Sequence, residues 1–377
     1  MFLAWRELVF ARARFGLMGG VVALIAILVV LLSGLSSGLV NDGVSGLQRL
    51  PVTAFAFAEG TKTDSAFSRS TVNVSQAEAW KDRADATPFG NMLINAKATT
   101  AAGAQLPIDL ALFGVDPGSF LAPAVSDGAK LADPDGIVVS QTVLDEGVAI
   151  GDTVVIDRLG TRLKVIGTTG DQRTFGHVDV AYLPLRTWQQ VHAGAGPGDE
   201  ARDGAYEEAT AIALRARDGT QIDLSGGDTA AGTTSMTLEE SFSASPGYSA
   251  ETSTLTLIQV FLYAISALVV GTFFTVWTIQ RKHELAVVRA MGASTGYLMR
   301  DTMIQATVIL TVSTAVGFLM GVGGGTLLTT TPMPFALEAG PLVFAALLLI
   351  GLGLAGAAAA VGRIVRVDPL AALGGHR

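Results

Sequence analysis

FGLMGGVVALIAILVVLLSGLSSGLV, residues 15–40, runs for 26 residues without a charged side chain. About 20 apolar residues carry an α-helix across the hydrocarbon core of a bilayer, so this stretch reads as a membrane span. Arg6, Arg12 and Arg14 precede it, as they would in a cleaved signal peptide. The run is far longer than the roughly 7–15 residues of a signal-peptide core, which favours a retained span. Three more uncharged stretches lie towards the other end of the chain, at 252–280, 302–337 and 339–362. The whole chain of 377 residues is half hydrophobic and only 15% charged, with a mean hydropathy of +0.48. Soluble domains carry about a quarter charged residues. The deficit is concentrated in these four stretches.

Charge gives the expected orientation. Segments 1–14, 281–301 and 363–377 hold ten Lys/Arg against four acids (Glu7, Glu284, Asp301 and Asp368). The connection around 332–340 has no Lys or Arg. Positive segments stay inside, so both termini are expected in the cytoplasm. Segment 41–251 then lies outside, with 15 basic residues against 28 acids, a net of −13. Such an acidic exterior argues against nucleic acid, whose binding depends on neutralising phosphates. The chain has no Cys, hence neither a disulfide framework nor a thiolate metal site.

The fold expected is membrane α-helical, with four transmembrane helices, plus a large mixed α/β extracytoplasmic domain between helices 1 and 2. The spans fall at 15–40, 252–280, 302–331 and 341–362. The outer domain takes 41–251, an inner segment 281–301, an outer loop 332–340 and a cytoplasmic tail 363–377. Residues 1–14 read as a cytoplasmic amphipathic helix, with Phe2, Trp5, Val9 and Phe10 near one face. It either lies in the membrane interface or is the inner end of the first span. Strand-like runs occur at 52–57, 136–140, 151–156, 163–167 and 178–183, punctuated by Gly and Asp. A helix is expected after Pro184, with Trp188 and Val191 on one side. Segments 194–204 and 218–235 read as loops. Pro246-Gly247 breaks the chain before the second span, Ser249 is the expected N-cap, and Glu251 sits in the first turn. Residues 317–325 and 351–360 are rich in small side chains, which let membrane helices approach closely.

No Gly-x-x-x-x-Gly-Lys-Ser/Thr pattern occurs, so the chain has no P-loop of its own. No His lies within a span; His177, His192, His283 and His376 read as surface residues. Segment 280–299, QRKHELAVVRAMGASTGYLM, resembles the inner loop of ABC permeases of the FtsX/MacB type, which commonly read QRxxExxxLRAxGAS. The matching residues are Gln280, Arg281, Glu284, Arg289, Ala290, Gly292, Ala293 and Ser294, with Val288 in the place of Leu. The resemblance implies a short coupling helix that docks on a separate ATPase subunit, which holds the ATP. Residues 284–291 suffice for about two helical turns, Gly292 suits a left-handed stop and Ser294 a cap for the next helix. Glu284, Arg289, Met291 and Gly292 are the expected coupling residues. The tail, RIVRVDPLAAL at 363–373, is similar to the family ending xDPxxAL. The stretch 138–185 is similar to the MacB-type outer domain. The family pairs a permease homodimer with two ATPase copies in the bacterial cytoplasmic membrane.

Segments 4–39 and 246–266 further resemble the DevC-type subgroup, especially bacterial heme-efflux permeases of the HrtB kind. That resemblance implies heme as the transported substrate, taken laterally from the outer leaflet, with a glutamate as axial ligand. The chain then carries no intrinsic cofactor and no intrinsic metal. With neither His nor Cys in a span, an anionic or phenolic oxygen is the remaining ligand class. Glu251 stands at the outer boundary of the second span, and Tyr248 and Tyr263 are lesser candidates. Glu251 is equally placed as a partner of the helix dipole. Arg49 suits either a heme propionate or a lipid head group. Two other readings stay open: a mechanotransmission permease working an extracytoplasmic partner, and an export permease for a peptide or lipid.

Overall fold

The computed structural model describes residues 12–100, 103–280, 287, 291–331 and 333–365. Glu284 and Arg289, most of the amphipathic N-terminal segment and the 366–377 tail lie outside the described residues. The long helices are α1 (Arg12–Gln48), α2 (Leu185–His192), α3 (Leu224–Ala231), α4 (Tyr248–Gln280), α5 (Thr295–Leu328) and α6 (Ala339–Val365). The chain divides into two compact units, Leu39–Thr252 and the remainder (Met1–Gly38 with Ser253–Arg377). Among the described residues four helices are long and apolar enough to cross a membrane, at Phe15–Gln48, Tyr248–Gln280, Met299–Leu328 and Ala339–Gly362.

The helical unit packs through aromatic and small residues. Phe15, Met18 and Val22 of α1 meet Val270, Phe274 and Trp277 of α4, with Ala306, Ile309 and Leu310 of α5 and Ala357 of α6. Phe15 stands edge-on to Trp277 with ring centres 4.7 Å apart. Of the small residues singled out in the sequence, Gly317, Gly321, Gly353 and Gly356 lie at helix contacts, whereas Gly323, Gly324 and Gly351 face open space. A side chain at Gly317 would come within 2.4 Å of the Ala23 carbonyl, and one at Gly356 within 2.5 Å of the Ala267 carbonyl. With lipid outside, such close backbone packing supplies much of the attraction between helices.

The outer unit is built on strands β1 (Ala54–Ala58), β2 (Val72–Asn73), β3 (Asp85–Thr99), β4 (Gln105–Val115), β5 (Asp127–Gly128), β6 (Gly136–Val139) and β7 (Thr153–Ile156). β8 (Arg162–Thr168), β9 (Thr174–Phe175), β10 (Val178–Pro184), β11 (Glu208–Ala209), β12 (Ala211–Arg215) and β13 (Thr233–Thr237) complete it. The main sheet runs β13-β1-β12-β3-β4-β10-β6-β8-β5, with β7 on β3 and β8, and β9 on β10. Alternation divides the side chains between two cores. Val138, Val180 and Tyr182 join an aromatic cluster of Phe55, Phe57, Phe67, Phe89, Phe113 and Phe175. Ile137, Val139, Ala181 and Leu183 face the other way, towards Trp188 and Val191 of α2. Central strands covered on both faces read as continuous apolar runs.

Four expectations need correcting. The first helix does not end at Val40 but continues to Gln48. Asn41, Asp42 and Gly43 look like a stop, yet tertiary contacts hold them in the helix. Thr174 accepts from and donates to this turn, and Gly46 lies so close to Val180 that a Cβ would come within 2.7 Å. Segment 218–235 is not a loop, since it contains α3 and the start of β13. Asp223 caps α3 by accepting from the Gly226 N–H, and Gly232 closes it at φ +64°, so capping chemistry replaces a hydrophobic period. Ser249 is not an N-cap; α4 already includes Tyr248, and the Ser249 hydroxyl donates to the Ser243 carbonyl at 3.4 Å. The helix of the third span, α5, stops at Leu328, short of Thr331.

Candidate functional site at the start of the second span

The site forms where three segments of the outer unit meet. The last turns of α1 bring Asp42, the β9–β10 turn brings His177, and the first turn of α4 brings Glu251. Gly176 and His177 occupy the two-residue turn between the paired residues Phe175 and Val178, at φ +59° and +66°. Two successive positive φ values are the mark of a type I′ hairpin turn, whose twist matches the strands it joins. The turn is pinned to α1 by Gly176 N–H donating to the Gly43 carbonyl at 2.9 Å. Ser45 and Thr174 share a buried hydroxyl hydrogen bond at 2.8 Å beside it.

His177 therefore stands between two carboxylates. Its Nδ1 is 2.9 Å from Asp42 Oδ2, and its Nε2 is 3.0 and 3.2 Å from the two Glu251 oxygens. The Glu251 side chain is 39% exposed and that of His177 31%. Partial burial pulls the His177 pKa down, but the Asp42 hydrogen bond and the Glu251 charge outweigh it, and the net shift is upward. Sequence reasoning placed His177 at the surface and did not single out Asp42. The three residues carry no shared sequence motif, and the only local sign is the Gly-His pair between two strand-like runs.

Glu251 sits in the first turn of α4 and also pairs with the imidazole. Tyr248, one turn earlier, stands edge-on to Phe242 with ring centres 6.2 Å apart. A Cβ at Gly43 would be 3.8 Å from both the His177 and Tyr248 rings, so the structure brings these two side chains to one spot. Arg49 is engaged elsewhere, its Nε 2.7 Å from Asp171 Oδ2. Asp171 also accepts from Arg173, which donates on to the buried Tyr182 hydroxyl at 3.1 Å. Burial raises the Asp171 pKa, but these guanidinium groups more than reverse it. Tyr263 belongs to the helical unit, packed beside Ile25, Val29 and Leu349.

In the inner segment, Gly292 adopts φ +100° and Ser294 caps α5 by accepting from the Tyr297 N–H. Both local expectations hold. Met291, just before the stop, is 75% exposed. Among the described residues no group of three or more His, Asp or Glu side chains is arranged to hold a metal ion.

Residues 13–225 match the MacB-like periplasmic core domain family, and residues 256–369 match the FtsX-like permease C-terminal family. The chain belongs to the FtsX/MacB-type ABC transporter permeases. It is thus a transport component, of a family that works with an ABC ATPase, and a protein of the cytoplasmic membrane. It is 23% identical to a candidate hemin transport system permease protein HrtB of Staphylococcus epidermidis, over all of this chain and 99% of the relative. A protein of the same description from Staphylococcus haemolyticus is also 23% identical, with the same coverage. The periplasmic region of MacB from Actinobacillus actinomycetemcomitans superposes on half of the chain, at 14% identity and a TM-score of 0.36, and 91% of that region is covered.

Proposed function

We propose that this permease is the membrane half of an ATP-driven efflux pump for heme, which it takes from the outer leaflet and releases outside. Two copies of the chain work with two ATPase subunits, which hold the ATP, and both termini face the cytoplasm. Heme is the transported substrate; the chain has no cofactor of its own. The observation that carries the cargo reading is Glu251, a part-exposed carboxylate in the first turn of a span, paired with an imidazole. Heme is amphipathic enough to lie in the leaflet beside such a group, and its iron accepts axial ligands from a protein. Full-length likeness to relatives named for hemin transport supports the same reading. The exposed Met291 and the Gly292 stop, with Glu284 and Arg289 in the same segment, support energy coupling through 281–301.

The test is an absorption titration of the purified permease–ATPase complex with hemin, alongside its ATP turnover. A saturable Soret shift and turnover stimulated by hemin are expected. Turnover with no Soret shift would remove heme and leave a peptide or lipid exporter, or a mechanotransmission permease, in its place.

A further inference from the structure

His177 is held in a way that the heme reading through Glu251 alone does not require. Its backbone lies at φ +66°, a region that Gly and Asn fill more readily and that costs other residues about 1 kcal/mol or more. Strain of this kind persists where the surroundings fix it, and it collects at ligand clamps. The surroundings here do fix it: the turn is bonded to α1 through Gly43, and Asp42 of the same helix takes Nδ1. A carboxylate on Nδ1 holds that N–H, so that Nε2, once it gives up the proton it shares with Glu251, presents its lone pair with raised basicity. Metal-ligating histidines are backed by such a carboxylate or carbonyl. Nε2 points at Glu251, the carboxylate on which the heme reading rests.

The number of donors selects the kind of metal. Among the described residues no group of three or more acid or imidazole side chains is arranged to hold a metal ion, so a bare cation would lack ligands. Porphyrin brings four nitrogens of its own and asks the protein for only one or two axial ligands. The spacing fits two. Bonds from first-row metals to imidazole nitrogen and carboxylate oxygen run near 2 Å, which puts ligands on opposite faces about 4 Å apart. Nε2 and Glu251 Oε2 are 3.0 Å apart, and parting them by about 1 Å would admit the iron.

We infer that His177, backed by Asp42, is a second axial ligand, and that the heme iron is held between His177 Nε2 and the Glu251 carboxylate. This rests on the heme reading above and adds a nitrogen donor from the outer domain to it. The site would then be closed in the empty protein by the His177–Glu251 contact, which the iron replaces.

The test uses the full-length permease in lipid nanodiscs with hemin as probe, read by absorption and electron paramagnetic resonance. The parent is expected to give a six-coordinate ferric spectrum with a nitrogen donor. His177→Gly keeps the positive φ and removes the ligand; it should lose the nitrogen signature and weaken hemin at least tenfold, and added imidazole should restore both. His177→Asn, which also tolerates the backbone, should lose the signature without being rescued. Asp42→Asn should weaken hemin by about 10–100-fold while retaining the signature. If the parent binds hemin and His177→Gly leaves spectrum and affinity unchanged, His177 is not a ligand, although heme remains the cargo. If the parent shows no hemin binding, the cargo reading fails and this inference fails with it.

Discussion

His177 Nε2 lies 3.0 Å from the Glu251 carboxylate although 74 residues separate them in the chain. The contact joins the first turn of the second span to a strand turn of the outer domain. Glu251→Gln removes the anion and keeps size and hydrogen bonding. The expected stability loss is that of an exposed ion pair and a dipole partner, about 0.3–1 kcal/mol in a thermal melt. The hemin spectrum of the same preparation should change. An untouched spectrum beside clear hemin binding by the parent would shift the assignment to Tyr248 or Tyr263.

The same contact makes the β9–β10 turn sensitive to pH. The folded state raises the His177 pKa above the ordinary histidine value of 6.5 because Asp42 and Glu251 outweigh partial burial. A raised histidine contributes stability that is fully present below its unfolded pKa and lost as pH rises through the folded value. Hydrogen exchange of the amides around 174–178, corrected for intrinsic rate, should therefore be slower near pH ~6 than near pH ~8.5. His177→Asn should abolish the difference. A parent turn that exchanges equally at both pH values would show that the pairing adds no stability.

Asp179 costs stability where His177 adds it, yet its effect runs the same way with pH. Burial lifts its pKa from 3.8 to about 6, against the lowering effect of the Thr142 hydroxyl that donates to it. Here the raised group is an acid, so the folded state favours the neutral form, and stability falls as pH rises from about 4 to about 6. At pH 7 the buried charge costs up to about 3 kcal/mol. Asp179→Asn keeps an acceptor for Thr142 and removes the charge, so it should stabilise the outer domain at neutral pH by about 1–3 kcal/mol and leave it unchanged near pH ~4. A loss of stability at pH 7 would mean that the carboxylate is better solvated than its 9% exposure suggests.

The four spans were legible because a bilayer filters composition so strongly that length and lack of charge decide the matter. The Gly292 stop and the Ser294 cap were legible because both are local. The long β3–β4 hairpin was not, since Pro88, Gly90, Pro107 and Gly114 break the pattern a strand is expected to show. Those glycines have a tertiary reason. Gly90 and Gly114 pair across the two strands, and a Cβ on either would come within 2.5 Å of Trp188, whose side chain fills the slot. The Asp42–His177–Glu251 contacts were hidden in the same way, because α1 runs eight residues beyond its apolar stretch to present Asp42.

A third relationship concerns the loop after α5. Ala336 N–H donates to the Gly34 carbonyl at 3.0 Å, and a Cβ at Gly34 would stand 2.3 Å from the Phe335 ring. Gly38, one turn on, would meet the Pro334 carbonyl at 2.2 Å. Gly34→Ala should therefore cost about 1–3 kcal/mol through overpacking, seen as a lower melting temperature in detergent. Phe335→Ala makes room, so adding it to Gly34→Ala should cost less than the two changes separately. Simple additivity would show that the ring does not seat on the glycine.

Coupling is tested at Gly292. Its φ of +100° is a conformation that a β-branched residue resists, and no atom of the described residues crowds the position a Cβ would take, so backbone strain is the direct effect. Gly292→Val should shift the stop that follows Met291 and misplace its exposed side chain, while α5 keeps its own cap from Ser294. The permease should still insert and assemble, but it should retain less ATPase on co-purification, and its transport-coupled ATP turnover should fall. Gly292→Asn, which tolerates positive φ better, should lie between parent and Val. If Gly292→Val co-purifies with undiminished ATPase and turns over ATP at the parental rate, the inner segment does not transmit the ATPase stroke.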